Sequence, residues 1–500
     1  MQQNRHCPLQ PFRLSAIIVS FFRPLEPDGK AGQVSRTLTL TLSGPRLIAA
    51  TRALSRRALQ AAHDPSQTRP SFTIKTASAV ATPQLAGLTG HASETDIPGL
   101  GLPWRLQKHN KMPQRAPAVM HPSGKKGHGR VAQVLRVLAF SAYFFTCCVG
   151  IVISQTVGAP LYFINRDWYY PYMAMTKRSF ALMTTVMTQI WGPTMIRISG
   201  DESVTGQIRP TKGGGVEFRF PERLVLIANH QIYTDWLYLW WIGYANRPGM
   251  HGHIYIILKE SLKYIPFIGP GMMFYGFIFM SRKMATDQPR LAHRINKLNQ
   301  KKMDSRGRTY LDPMWLLLFP EGTNLSTNGR NKSAQWAKKN ELKDPEHVML
   351  PRSTGTFFCL NQLKGTVEYV YDCTVAYEGV PRGKFGEQFF GLSSTYFQGR
   401  APKSVNLYWR RFRLADMPLD DGKKFDGWLR EQWYKKDELL EEYLSSGRFP
   451  AMTGSETDYV ETAVRTRYPW EILQVFTVTG IVFLVWYNVS KLVHAFGPWR

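Results

Sequence analysis

The sequence predicts an α/β fold: a mixed, mostly parallel sheet flanked by helices, with membrane helices N-terminal and C-terminal to it. Two observations carry this. Short apolar runs rich in β-branched and aromatic residues recur between 200 and 415, separated by spacers that can hold helices. Longer uncharged runs, 137–164 and 472–490, stand outside that region.

Residues 1–130 come first. They hold 18 Lys+Arg against 5 Asp+Glu, about half of the chain's net charge of +27. They are rich in Ser, Thr, Pro, Gly and Ala and lack periodicity, which predicts a basic, mostly disordered extension. An Arg-rich, acid-poor start also fits a mitochondrial targeting segment, and translation from Met112 or Met120 fits as well. Residues 131–198 read as membrane-anchoring segments. The run 137–164 exceeds the roughly 20 residues a spanning helix needs, and Lys125, Lys126, Arg130 and Arg136 before it favour a cytosolic flank. A second uncharged run, Ser179 to Ile196, reads as a return span, as a segment lying in the interface, or as a buried core helix. The return span is the expectation, because it places the following domain on the cytosolic side; without it the positive-inside rule would place that domain in the lumen.

Residues 199–415 form the expected catalytic domain. Its strands are Arg223 to Ala228, Ile254 to Leu258, Leu316 to Phe319, Glu368 to Ala376 and Val405 to Phe412; its better helices are Tyr233 to Tyr244 and Gln288 to Met303. Residues 416–468 read as a helical extension. In it Phe425, Trp428, Leu429, Trp433, Leu440 and Leu444 recur at near-helical spacing, a stripe that packs on the domain surface. Residues 469–500 supply a C-terminal membrane helix, Ile472 to Ser490, with Trp470, Trp486 and Tyr487 suited to a lipid boundary. The five cysteines form no C-x-x-C pair, which argues against a structural zinc or a disulfide scaffold. No zinc-finger spacing or RNA-binding motif supports nucleic acid as the partner of the positive charge.

The sharpest chemical motif is NHQIYTDW, Asn229 to Trp236. On one continuous helix, His230 and Asp235 point about 140° apart. A strand end, a turn and a helix start can instead join them. Asp235 then accepts from Nδ1–H of His230 and leaves Nε2 to take a proton. FPEGTNLS, Phe319 to Ser326, puts a carboxylate, a permissive glycine and a hydroxyl on one sharp loop after a strand. Lys259 and Arg282 bracket an apolar, Gly/Pro-broken stretch, where a basic residue can grip a phosphate. LPRSTG, Leu350 to Gly355, is a fourth short block.

These four blocks, in this order, resemble the glycerolipid acyltransferase family, and within it the lysophosphatidic-acid and lysocardiolipin acyltransferase branch. The resemblance runs from about 135 to 450 and includes YDCTVAYEG, Tyr371 to Gly379. It implies an integral membrane enzyme that moves an acyl group from acyl-CoA, as co-substrate, to a lysophospholipid hydroxyl. The acceptor would be of the lysophosphatidic acid, lysophosphatidylinositol or lysocardiolipin type. By the same resemblance His230 is general base, Asp235 orients it, and no acyl-enzyme, cofactor or metal takes part. Glu321, Gly322 and Thr323 would hold the acceptor's glycerol-phosphate part, Arg282 its phosphate, and Pro351 and Arg352 the border of the acyl-donor site. A basic and an aromatic residue often follow Arg282 in the family; here Lys283 keeps the charge and Met284 loses the ring. The implied host is the endoplasmic reticulum membrane, with a mitochondrial membrane as the alternative. A CoA-independent transacylase and a non-catalytic lipid-binding protein are the competing readings of the same blocks.

Overall fold

A computed structural model describes residues 121–266, 268–281, 283–304, 306–454 and 457–496. Residues 1–120 of the extension expected over 1–130, and the phosphate candidate Arg282, lie outside them. The described chain begins with helix α1 (Arg130–Gly158) and helix α2 (Arg166–Trp191), then strand β1 (Met195–Gly200) and the hairpin β2 (Ile208–Pro210) and β3 (Val216–Phe218). There follow β4 (Arg223–Ala228), α3 (Asp235–Ala245), β5 (Ile254–Lys259), α4 (Ile268–Phe274), β6 (Ile278–Met280) and α5 (Met284–Leu298). A second hairpin, β7 (Lys301–Met303) and β8 (Thr309–Leu311), leads to β9 (Met314–Leu318), α6 (Thr327–Lys339), α7 (Ser353–Leu363) and β10 (Tyr369–Tyr377). The chain closes with β11 (Ser404–Arg413), α8 (Gly422–Ser446), β12 (Val460–Ala463) and α9 (Thr477–Phe496).

One eight-stranded sheet runs in the order β12-β1-β11-β10-β4-β9-β5-β6. Only β10 with β11 and β1 with β12 pair antiparallel in it. The mostly parallel sheet expected from the sequence is thus the one observed. Strand β4 explains why such strands read as unbroken apolar runs. Leu224 and Leu226 enter one core with residues of α2 and α3, whereas Val225 and Ile227 enter another with residues of α5, α7 and α8. Both faces are covered, so neither needs polar residues. Each such side chain contributes about 1.5–3 kcal/mol on burial.

Three expectations change. The sheet extends past both ends of the 199–415 segment, because β1 begins at Met195 and β12 lies at 460–463. The extension after 415 is therefore not purely helical. The helix expected from Gln288 to Met303 stops at Leu298, where Asn299 turns its amide onto Gln362 O and Thr366 Oγ1; Lys301–Met303 is a strand. The third change concerns the run Ser179 to Ile196. Ala181 to Thr188 are all buried and Met195 already belongs to the sheet. This is a core helix against α1 and α3, with no lipid-facing surface along its middle, and the expected return span is not formed.

Gln133 donates to Phe397 O at 2.7 Å, Arg136 donates to Phe397 O and Trp191 O, and His121 Nε2 bonds Phe389 O at 3.1 Å. Near the other end of α1, Gln155 donates to Gly271 O at 3.2 Å, and Tyr172 lies so close to Gly158 that a Cβ there would collide with its ring. The basic flank and both ends of α1 thus contact the globular domain. Among the described residues, two helical stretches, Arg130–Ile164 and Pro469–His494, are long and apolar enough to cross a bilayer. Leu135, Leu138, Phe145 and Val149 of the first, and most side chains from Ile481 to Val493 of the second, are exposed.

Candidate active site

The parallel strands β4, β9, β5 and β6 end at one edge of the sheet. His230 follows β4, Glu321 follows β9, and Lys259 ends β5. The fold therefore collects at the carboxyl edge residues that are scattered in sequence, as open α/β sheets do.

Asn229 makes the turn after β4. Its amide accepts from Val375 N at 2.8 Å and donates to Val375 O at 3.0 Å, which extends the β4–β10 pairing by a side chain. That aims the next residue, His230, out of the sheet. Asp235 opens α3. Its Oδ2 accepts from His230 Nδ1 at 2.8 Å and from Ile232 N at 3.1 Å, so one carboxylate oxygen fixes both the ring and the turn. Its Oδ1 accepts from the hydroxyl of Tyr377. Asp235 is fully buried, whereas the His230 side chain retains 17% exposure. Burial, and after it the charge of Asp235, hold the Tyr377 phenol far above its ordinary range. It therefore stays a donor. With Nδ1–H donated to Asp235, Nε2 is the proton acceptor and lacks a described partner.

The Phe319–Ser326 loop holds His230 from its other side. Phe319 stacks on the imidazole with centroids 4.2 Å apart. Leu325 N donates to His230 O at 2.7 Å, and His230 N donates to Glu321 Oε1 at 3.2 Å. Gly322 has φ +75°, a left-handed conformation that disfavours any side chain, and its N–H closes a tight turn to Phe319 O at 2.9 Å. Glu321 is buried, and burial pushes its carboxyl up to about 8. It braces the backbone of His230 from within the protein, whereas Gly322 is exposed and Thr323 partly so. Arg352 N donates to Pro320 O at 2.8 Å, and the Arg352 side chain passes over Gly322. So Gly322 and Arg352, named separately from sequence, are neighbours. Pro351 is buried beside them, and Lys259 is exposed at the end of its strand.

Several residues of the site carried no assigned role in the motifs. Tyr377 lies inside YDCTVAYEG. Glu387 bonds Asn324 of the loop, and burial raises its carboxyl while the nearby His230 lowers it. Trp433, on α8, donates to Glu321 Oε1 at 3.4 Å. Among the described residues no group of three or more His, Cys, Asp or Glu is arranged to hold a metal ion.

The acyltransferase family model matches residues 198–378, and a model of the acyltransferase C-terminus matches 395–478. An uncharacterized acyltransferase of Schizosaccharomyces pombe is 35% identical over 346 residues, covering 68% of this chain and 94% of its own. The 2-acyl-1-lysophosphatidylinositol acyltransferase of Saccharomyces cerevisiae is 35% identical over 345 residues, 63% of this chain and 86% of its own. Lysocardiolipin acyltransferase 1 of Gallus gallus is 27% identical over 320 residues, 63% of this chain and 74% of its own.

Proposed function

This chain belongs to the glycerolipid acyltransferase family, and on that premise we propose that it moves a fatty acyl group from acyl-CoA to the free hydroxyl of a lysophospholipid at a membrane surface. The observation that carries the reading is the His230–Asp235 pair, with Nδ1 engaged on a buried carboxylate and the imidazole partly exposed. The acceptor hydroxyl gives its proton to Nε2 as its oxygen attacks the thioester carbonyl. A C–O bond forms, the C–S bond breaks, and the imidazolium returns the proton to the departing thiolate. Imidazole suits both halves because it exchanges protons near neutral pH. Arg352 and Lys259, exposed at the same edge, suit the phosphates of the two substrates.

The membrane enters through packing. Leu237, two residues after Asp235, shares a small core with Phe140 of α1 and Trp191 of α2, and Trp236 packs against it. The helix that begins with Asp235 thus rests on the apolar helix whose outer face is exposed. Burial is worth about 0.8 kcal/mol per CH2, so a site at the lipid boundary avoids drawing either acyl chain into water. The proposed host is the endoplasmic reticulum membrane. Cell fractionation checks this, and recovery with mitochondria contradicts it.

Membranes holding the protein, supplied with a long-chain acyl-CoA and a panel of lysophosphatidic acid, lysophosphatidylinositol and lysocardiolipin, should release CoA and acylated phospholipid in equal amounts. Lysophosphatidylinositol is the first acceptor to try, given what the Saccharomyces cerevisiae relative's name states. Product formed without added acyl-CoA would mark an acyl-phospholipid donor instead. No product with any acceptor would contradict the reading.

Tyr377→Phe deletes one donor to Asp235 and keeps the ring. A hydrogen bond to a charged group is worth about 1.5–3 kcal/mol. We expect kcat to fall roughly tenfold with both KM values nearly unchanged, as measured by steady-state kinetics. Unchanged kcat would show that the hydroxyl does not steer Asp235.

A further inference from the structure

Helix α8 belongs to the C-terminal matched segment, whereas His230 and Glu321 belong to the N-terminal one. We propose that Trp433 is a positioning residue for the transfer reaction: its indole N–H fixes the Glu321 carboxyl group, which in turn holds the backbone of His230. The proposal rests on the acyltransferase reading above and deepens it, because it makes the C-terminal segment part of the catalytic apparatus.

Three observations converge. Glu321 Oε1 accepts from Trp433 Nε1 at 3.4 Å and from His230 N at 3.2 Å, so a single oxygen joins the helix to the base. Trp433 is fully buried and cannot turn to solvent. One turn further along α8, Asp437 accepts from the backbone N–H groups of Glu346 and His347, at 2.9 and 2.6 Å, and His347 O accepts from Gln231, the neighbour of His230, at 3.0 Å. Residues 433 and 437 lie on one face of the helix. That face therefore reaches both flanks of His230, one through Glu321 and the other through His347 and Gln231.

The indole bond also matters for the charge on Glu321. Burial lifts this carboxyl, and the hydrogen bonds from His230 and Trp433 oppose the lift. Without the indole donor, Glu321 moves further toward the neutral acid, a weaker acceptor for the His230 N–H. The imidazole loses part of the restraint that sets its distance from the acceptor hydroxyl, and the loss falls on kcat.

The test is a double-mutant cycle on kcat for acyl-CoA and lysophosphatidylinositol, using Trp433→Phe, Glu321→Ala and the pair. Trp433→Phe should lower kcat about tenfold, leave the KM for acyl-CoA within about twofold, and cost less than about twofold when added to Glu321→Ala. Wild-type kcat in Trp433→Phe overturns the proposal. So does a tenfold loss that persists in the Glu321→Ala background, since the indole would then act only as packing. If phenylalanine leaves too large a void for folding, β-(3-benzothienyl)alanine at 433 keeps the bicyclic shape, lacks the donor, and is read by the same outcomes. A wild type that acylates no acceptor defeats the parent reading, whereas an active wild type matched by Trp433→Phe defeats this proposal alone.

Discussion

Replacing His230 by alanine is expected to lower kcat by roughly 10²–10⁴-fold, the range that a positioned general base contributes. The side chain is not needed to hold the fold. It is partly exposed, and the bonds that tie its residue into the site run through its backbone to Glu321 and Leu325, which alanine preserves. Thermal stability should therefore stay close to wild type while turnover collapses. The acceptor's KM should change little, because the imidazole acts on the hydroxyl in the transition state rather than on the lipid's head group. Steady-state kinetics on equal amounts of folded protein read both numbers. Retained turnover would mean that the proton leaves by another route. A matching loss of stability would mean that the ring is structural.

Replacing Asp372 by alanine should give the largest stability loss away from the site. Asp372 and Lys436 are fully buried and Arg410 nearly so. Lys436 Nζ stands 2.6 Å from Asp372 Oδ1 and donates to Cys373 O at 2.8 Å, while Arg410 Nη2 stands 2.6 Å from Asp372 Oδ2. Burial pulls the Lys436 ammonium below its ordinary range, and Asp372 opposes that pull. Removing the only carboxylate of the three leaves two buried cations without their shared partner. A broken buried pair costs about 3–5 kcal/mol, a large part of the roughly 5–15 kcal/mol that holds a domain together. The effect should appear in urea unfolding of the detergent-solubilised protein. Adding Lys436→Met should recover part of it, since one uncompensated charge is removed. An unchanged unfolding midpoint in Asp372→Ala would show that Lys436 and Arg410 find other partners. Because the triad pins α8 to β10, a loosened helix should also lower turnover through Trp433.

Much of the sheet was readable from sequence because its central strands are covered on both faces. Arg223–Ala228 and its neighbours show as apolar runs for that reason. Strand β1 was hidden because Met195 and Ile196 continue the uncharged run before them, and Arg197 looked like that run's terminus rather than a strand residue paired with Glu461 and Glu378. Strand β12 is four residues at a sheet edge, too short for a period of two to register. The run Ser179 to Ile196 looked like a span because the burial of Ala181 to Thr188 inside the protein removes charge as effectively as lipid does.

The site divides along the same line. His230 and Asp235 were legible because a strand, a turn and a helix start within a few residues of one another. The meeting of Gly322 with Arg352, and of Asp235 with Tyr377, was not, since only the tertiary fold sets which strand ends adjoin. Trp433 is the clearest case. Its position in an apolar stripe predicts packing, and it does pack, fully buried beside Phe425 and Leu429. The reach of its N–H to a glutamate more than a hundred residues away leaves no trace in the helical period.

A single-turnover quench with labelled acyl-CoA tests direct, His230-dependent transfer most closely. Wild-type protein mixed with label alone should release no CoA and carry no covalent label. On addition of lysophospholipid, all transferred label should appear in diacyl lipid, and His230→Ala should show neither event on the same timescale. Label bound to the protein, CoA released before the acceptor arrives, or transfer by His230→Ala at the wild-type rate would each contradict it.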